Sequence, residues 1–236
     1  MRGNKAKLVR GDIRTVNTLK QIIIKSALTT LGIVAGCAVV VFAILSVGFP
    51  GTLCGWCEQL GNYGFAVKYA SLYYSYTEDI ADLARCADDS ILAENDGYII
   101  EYCTKLVDED GFAEYCVLRD EQISESQPWI TFSYRQYIYG AVSSAHYREG
   151  DIQTALGFAV QSLDSDFDRN NFSADGDYSI TQFPINNALG SLSLRVAQNK
   201  DTAAAESVLS VLGNVTCSDE DEQRYLTTLI NALGAL

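Results

Sequence analysis

The stretch "YREGDIQTALGFAVQSLDSD", Tyr147–Asp166, decides how this chain is read. A polar Gly150–Asp151 corner interrupts it. Apolar residues then return every three or four positions from Ile152 to Leu163, the spacing of a helix with one buried face. Either this is a single turn between two ordinary helices, or it is one unit of a repeat. The rest of the sequence has to decide between them.

Hydrophobic residues make up 48% of the 236, enough for a substantial core. Only three prolines interrupt them, which favours helices over a sandwich of short strands. The net charge of −13 argues against a nucleic-acid partner. That average conceals an asymmetry. Residues 1–25 hold seven basic side chains (Arg2, Lys5, Lys7, Arg10, Arg14, Lys20 and Lys25) against Asp12 alone, a net +6. The remainder therefore carries −19.

Between these parts runs "SALTTLGIVAGCAVVVFAILSVGF", residues 26–49, without a charge. At about 1.5 Å per residue such a helix is about 36 Å long, against about 30 Å for a hydrocarbon core. Pro50–Gly51 ends it. The basic segment precedes the anchor and the acidic body follows. The positive-inside rule therefore places residues 1–25 in the cytoplasm and residues 52–236 outside it, as a single-pass membrane protein. Two alternatives compete with a plain anchor. One is a cleaved signal peptide, for which the apolar stretch is long and "ILSVGFPG" a poor cleavage site. The other is a lipobox at "VAGC", Val34–Cys37, which would lipidate Cys37, although the chain stays apolar after it.

Helical patterns alternate with polar corners through the body. Phe65, Tyr69, Leu72, Tyr73 and Tyr76 recur at helical spacing, read as a core stripe with an interfacial belt as the alternative. Thr77 is placed to cap the next helix. Asp96–Gly97 and Asp108–Gly111 make corners, "RDEQISESQ" reads as a polar loop, and Pro128 opens a long helix to Tyr147. A polar insert, Asp164–Gln182, precedes a helix opened by Pro184. Lys200–Asp201 turns the chain again, and Ser218 with Asp221 resembles a capping box. The expected fold is all-α: one transmembrane helix, then stacked antiparallel helical hairpins.

The hairpin around Gly150 resembles a tetratricopeptide repeat. Tyr139 stands where that family has Trp, Val142 where it has Leu, Ser143 for Gly and His146 for Tyr. Gly150–Asp151 makes the turn, and Ala155 takes the small position of the second helix. Ala159 replaces the usual Phe, Ser162 replaces a later Ala, and the terminal Pro is absent. Gly61–Asn62 with Ala66, and Lys200–Asp201 with Ala205, repeat the corner-to-alanine offset. The resemblance is fair over residues 136–166, moderate over 184–213 and loose over 52–118. It implies a protein or peptide partner on a concave face lined by first helices. Carried over by position, that face would show Tyr137, Ser144, Tyr147, Arg148, Asn187, Leu194 and Gln198.

The chemistry-bearing residues give weaker signals. "CGWC", Cys54–Cys57, has the spacing of a thiol oxidoreductase, but no strand–helix–strand pattern surrounds it. Glu58 stands where a haem-attachment site needs His, and no second close pair completes a zinc site. Cys103 and Cys116 flank the Asp108–Gly111 corner about equally, so an α-hairpin there would bring them within bridging reach. A disulfide and two reduced buried thiols are both open readings, as is a local bridge between Cys54 and Cys57. His146, the single histidine, occupies a packing position. Asp164, Asp166, Asp168 and Asn170 alternate like calcium ligands, yet Arg169 stands where that loop needs Gly. Asn171 and Asn214 lie in glycosylation sequons, which matter only in a eukaryotic secretory pathway.

The sequence thus points to a membrane-anchored, extracytoplasmic interaction module or scaffold, without catalysis, metal or cofactor. A thiol–disulfide redox protein using Cys54 and Cys57, or an accessory subunit of a larger membrane assembly, are the alternatives.

Overall fold

The computed structural model describes the backbone of residues 3–236 and the side chains of residues 20–236. Arg2, Lys5, Lys7, Arg10 and Arg14, five of the seven basic residues of the N-terminal segment, therefore have side chains outside the described residues. The chain divides into two units, Met1–Leu53 and Cys54–Leu236.

In the first unit helix α1 runs from Gly3 to Gly48. Its Lys20–Gly48 part is long and apolar enough to cross a membrane, and its most apolar stretch holds no buried residue. Phe49 interrupts the helix, and Pro50 begins α2, Pro50–Gln59, at the position where a missing N–H costs nothing.

In the second unit the part of α2 from Cys54 onward is followed by α3 (Tyr63–Thr77), α4 (Ile80–Leu92), α5 (Asp96–Val107), α6 (Phe112–Ser126) and α7 (Tyr134–Arg148). Then come α8 (Ile152–Gln161), α9 (Ala188–Asn199), α10 (Thr202–Leu212) and α11 (Glu220–Gly234). No strand forms among the described residues; one isolated bridge joins Ile180 to Val215. The fold is all-α.

Side-chain caps set most of the boundaries. Asp79, Asn95, Ser133, Asp151, Asn187, Asp201 and Asp219 each accept a backbone N–H of the helix they precede. Each such cap is worth about 1 kcal/mol. Asp79 takes the role expected of Thr77, which instead ends α3, and Asp219 takes that expected of Ser218.

Three further expectations are corrected. "RDEQISESQ" is mostly helical, because nothing stops α6 before Gln127, whose backbone leaves the helical region ahead of Pro128, where the proline ring disfavours it. Pro128 does not open a helix. The chain turns at Pro128–Trp129, where the Ile130 N–H donates to the Gln127 carbonyl at 3.0 Å, and continues without helix to Ser133; Asp120 Oδ1 then accepts the Tyr134 N–H at 2.6 Å and fixes the start of α7. Nor does Pro184 open α9. Asn187 does, donating to the Pro184 carbonyl and accepting from the Gly190 N–H, each at 2.7 Å.

Helix α7 is the hub. It packs against α5, α6, α8 and α9, and its buried residues (Tyr134, Ile138, Tyr139, Val142, Ser143 and Tyr147 among them) wrap most of its circumference. Gly150 at φ +85° makes the corner into α8 without steric cost. The buried Ser143 hydroxyl donates to the Ala155 carbonyl at 2.8 Å, so the two helices meet closely with no polar group stranded. Ala66, Ala155 and Ala205, the three alanines at the same offset from a corner, are all buried. The insert folds back over α8. Arg169 lays its guanidinium 4.6 Å from the Phe158 ring centroid and binds both oxygens of Asp108 at 2.6 Å.

The aromatic stripe of α3 is corrected in part: Tyr69 packs against the core, but the stripe is not its buried centre. The buried face of α3 is Ala66, Val67 and Ala70, while Phe65 and Tyr76 are exposed. Alanines face α4 because only small side chains permit the close approach of these two helices.

Candidate functional site

Three helices that precede a corner, α5, α7 and α9, lie side by side, α7 in the middle. A groove of about 980 Å³ runs between them. Its floor is one face of α7: Gln136, Tyr137, Gly140, Ala141, Ser144 and Arg148, at intervals of three and four. Gly140 and Ala141 carry almost no side chain at its centre, which leaves the trough open. Asp96 and Ile99 form one wall, and Ser191, Arg195 and the Pro184–Asn186 turn form the other. Gln136 anchors the floor, donating to the Ser162 carbonyl at 2.9 Å and accepting the Ala188 N–H at 2.9 Å.

Two guanidinium groups reach this groove and differ in state. Arg148 is tied to Asp96, its Nε 2.9 Å from each carboxylate oxygen. The ion pair holds the Asp96 carboxyl below the usual carboxylate range. Arg195 is exposed on α9 and forms no hydrogen bond or ion pair among the described residues, although Asp96 feels its charge. Tyr137 is pushed up to about 12 by burial, so its phenol stays neutral.

Of the residues carried over from the repeat resemblance, the groove gathers Tyr137, Ser144 and Arg148. Tyr147 is buried elsewhere: its hydroxyl lies 3.2 Å from Asp201 Oδ2 and 3.3 Å from Asn199 Nδ2, joining α7 to the α9–α10 corner. Asn187 is buried as the α9 cap. Leu194 and Gln198 are exposed on α9 but do not line the groove. The helix turns about 100° per residue, so the register on α9 was one residue short of Arg195. The four-residue spacing of Gly140, Ser144 and Arg148, matched by Ser191 and Arg195, is the signal that would have found it.

A second cluster surrounds the C-x-x-C pair. The Cys54 thiol lies 3.4 Å from Glu58 Oε1 and 3.5 Å from Asp89 Oδ2, and Arg85 Nε binds Glu58 at 2.5 Å. Cys54, Glu58 and Asp89 offer three ligand atoms within 4.8 Å of one another. The Arg85 guanidinium pairs with Glu58 in this pocket, and the group forms a half-buried network tying α2 to α4. Burial, then the neighbouring carboxylates, push the Cys54 thiol well above its ordinary value. An attacking redox thiol needs the opposite shift. Burial and the Glu58 charge raise Asp89 to about 7.

All seven cysteines are free thiols. Cys54, Cys103 and Cys116 are buried and Cys57 is half-buried. Helix α5 lies along α4 and α7 rather than along α6, so the Asp108–Gly111 corner does not close the hairpin from which a Cys103–Cys116 bridge was expected. His146 stacks on Phe158 at 5.3 Å, its imidazole shifted toward the neutral form by burial. In the acidic insert, Asp164 and Asp168 accept local backbone N–H groups rather than converging on one point.

No protein-family model, curated protein or solved structure matches this chain.

Proposed function

We propose that this chain is a membrane-anchored, non-catalytic interaction module, with its helical body outside the cytoplasm. Its groove takes an extended, acidic segment of a partner protein. The observation that carries the reading is the unpaired Arg195 guanidinium on the wall of an open groove with a half-apolar lining. A charged donor without a partner, beside Tyr137 and Ile99, favours a carboxylate flanked by apolar side chains. The inner layer of α5, α7 and α9 supports treating the body as a degenerate tetratricopeptide-like array, in which neighbouring hairpins complete one another's core. The charge asymmetry across the apolar helix supports the orientation.

The test is a peptide array probed with the detergent-solubilised full chain. Acidic peptides with apolar neighbours should be retained, and Arg195→Glu should abolish retention. Equal retention of acidic and basic peptides, or binding untouched by Arg195→Glu, would refute the assignment.

A further inference from the structure

Helices α2 and α3, with Leu60 between them, turn several large apolar side chains outward, as Trp129 does between α6 and α7. Trp56 is 51% exposed, Leu60 82%, Phe65 52% and Tyr76 60%. Phe65, Lys68 and Tyr76 fall on one side of α3, and the Lys68 ammonium lies 5.3 Å from the Phe65 ring centroid. Aromatic side chains of this size are usually withdrawn from water; here α3 buries Ala66, Val67 and Ala70 and leaves Phe65 and Tyr76 exposed, while Tyr69 and Tyr74 pack against the core.

The charge pattern singles out the same segment. Residues 78–236 carry 28 of the chain's 30 acidic side chains. Residues 51–77 carry one, Glu58, which is turned onto Arg85, and one base, Lys68. The whole −19 of the body thus avoids this stretch. Carboxylates are costly to bring against the apolar edge of a bilayer, whereas Trp and Tyr settle at the headgroup level and a long Lys side chain can reach past them to water. Trp56 also follows the last residue of the apolar helix by only eight positions, so the chain itself keeps the ring near one end of that helix.

We propose that the α2–α3 face bearing Trp56, Leu60, Phe65, Lys68 and Tyr76 lies in the interfacial layer of the bilayer that Lys20–Gly48 crosses. This rests on reading that helix as an anchor. The face is distinct from the groove.

The test uses the full chain with Trp129→Phe, which leaves Trp56 as the single tryptophan, in vesicles of phosphatidylcholine with a minority of phosphatidylglycerol. The fluorescence of Trp56 should shift to the blue. Lipid brominated near the headgroup should quench most of it, lipid brominated at the chain end should quench little, and aqueous iodide should have little effect. A second variant, Trp129→Phe with Trp56→Phe and Phe65→Trp, should report the same from α3. Strong iodide quenching without bromine quenching would overturn the inference. Shielding from both quenchers would also overturn it, because a protein surface would then cover the face. Alkaline carbonate separates the two claims: protein that stays with the vesicles while Trp56 ignores bromine defeats this inference alone, and protein released from them defeats the anchor as well.

Discussion

Arg148, at the end of α7, holds both carboxylate oxygens of Asp96, at the start of α5, across 52 residues of sequence. The pair closes one end of the groove and is partly exposed. Exposed pairs of this kind contribute about 0.2–1 kcal/mol, and two-oxygen geometry favours the upper end. A double-mutant cycle with Arg148→Ala and Asp96→Ala should give a coupling in that range by thermal melting. Additive effects would show that the pair holds nothing. Arg148→Ala should therefore affect the fold as well as binding, whereas Arg195→Ala should weaken binding at unchanged melting temperature.

Asp89 gives the body a characteristic pH response. Its carboxyl binds a proton more tightly when folded, at about 7, than in an unfolded chain, so folding takes up a proton. Stability from this group is complete below the ordinary carboxylate range and is lost as pH rises through about 7, by at most about 1.4 kcal/mol per pH unit. Asp88, raised by burial to about 6, acts in the same direction. The melting temperature should thus fall between about pH 4 and about pH 7. Asp89→Asn, which keeps an acceptor for the Cys54 thiol, should flatten that fall. A wild-type melting temperature that rises with pH over this interval would contradict the assignment.

Ala155 sits fully buried where α8 meets α7. Ala155→Leu should overpack this contact at a cost of roughly 1–3 kcal/mol. At about 2–4 °C per kcal/mol for a chain of this size, the loss is readily measured. An unchanged melting curve would mean that the helices do not meet there.

Protease added to intact cells should remove the body and spare a tag at the N-terminus. Cleavage of the tag with a protected body would reverse the orientation.

Much of the fold was legible because its signals are local. Charge-free length marked the apolar helix, and the corners at Gly150 and Lys200–Asp201 each pair an αL residue with an Asp cap. Local signals also misled. Pro128 and Pro184 suit a first helical turn, yet Ser133 and Asn187 cap better, so α7 and α9 start later. The face of α3 could not be read from periodicity, because its aromatic and alanine stripes share one period and the helix packs by its small side. The groove was half legible. Tyr137, Ser144 and Arg148 follow from the face of α7, but Arg195 depends on where α9 begins and on how α9 turns toward α7, both set by tertiary contacts such as Gln136 with the Ala188 N–H.

The most direct test of the groove is site-specific photocrosslinking in native membranes. A photoreactive side chain at Ala141, on the groove floor, or at Ser191, on its wall, should give a discrete protein adduct that Arg195→Glu abolishes. The same group at Glu206, exposed on α10, should give none. Adducts at Glu206 but not at Ala141 or Ser191 would place the interaction elsewhere on the body and contradict the account.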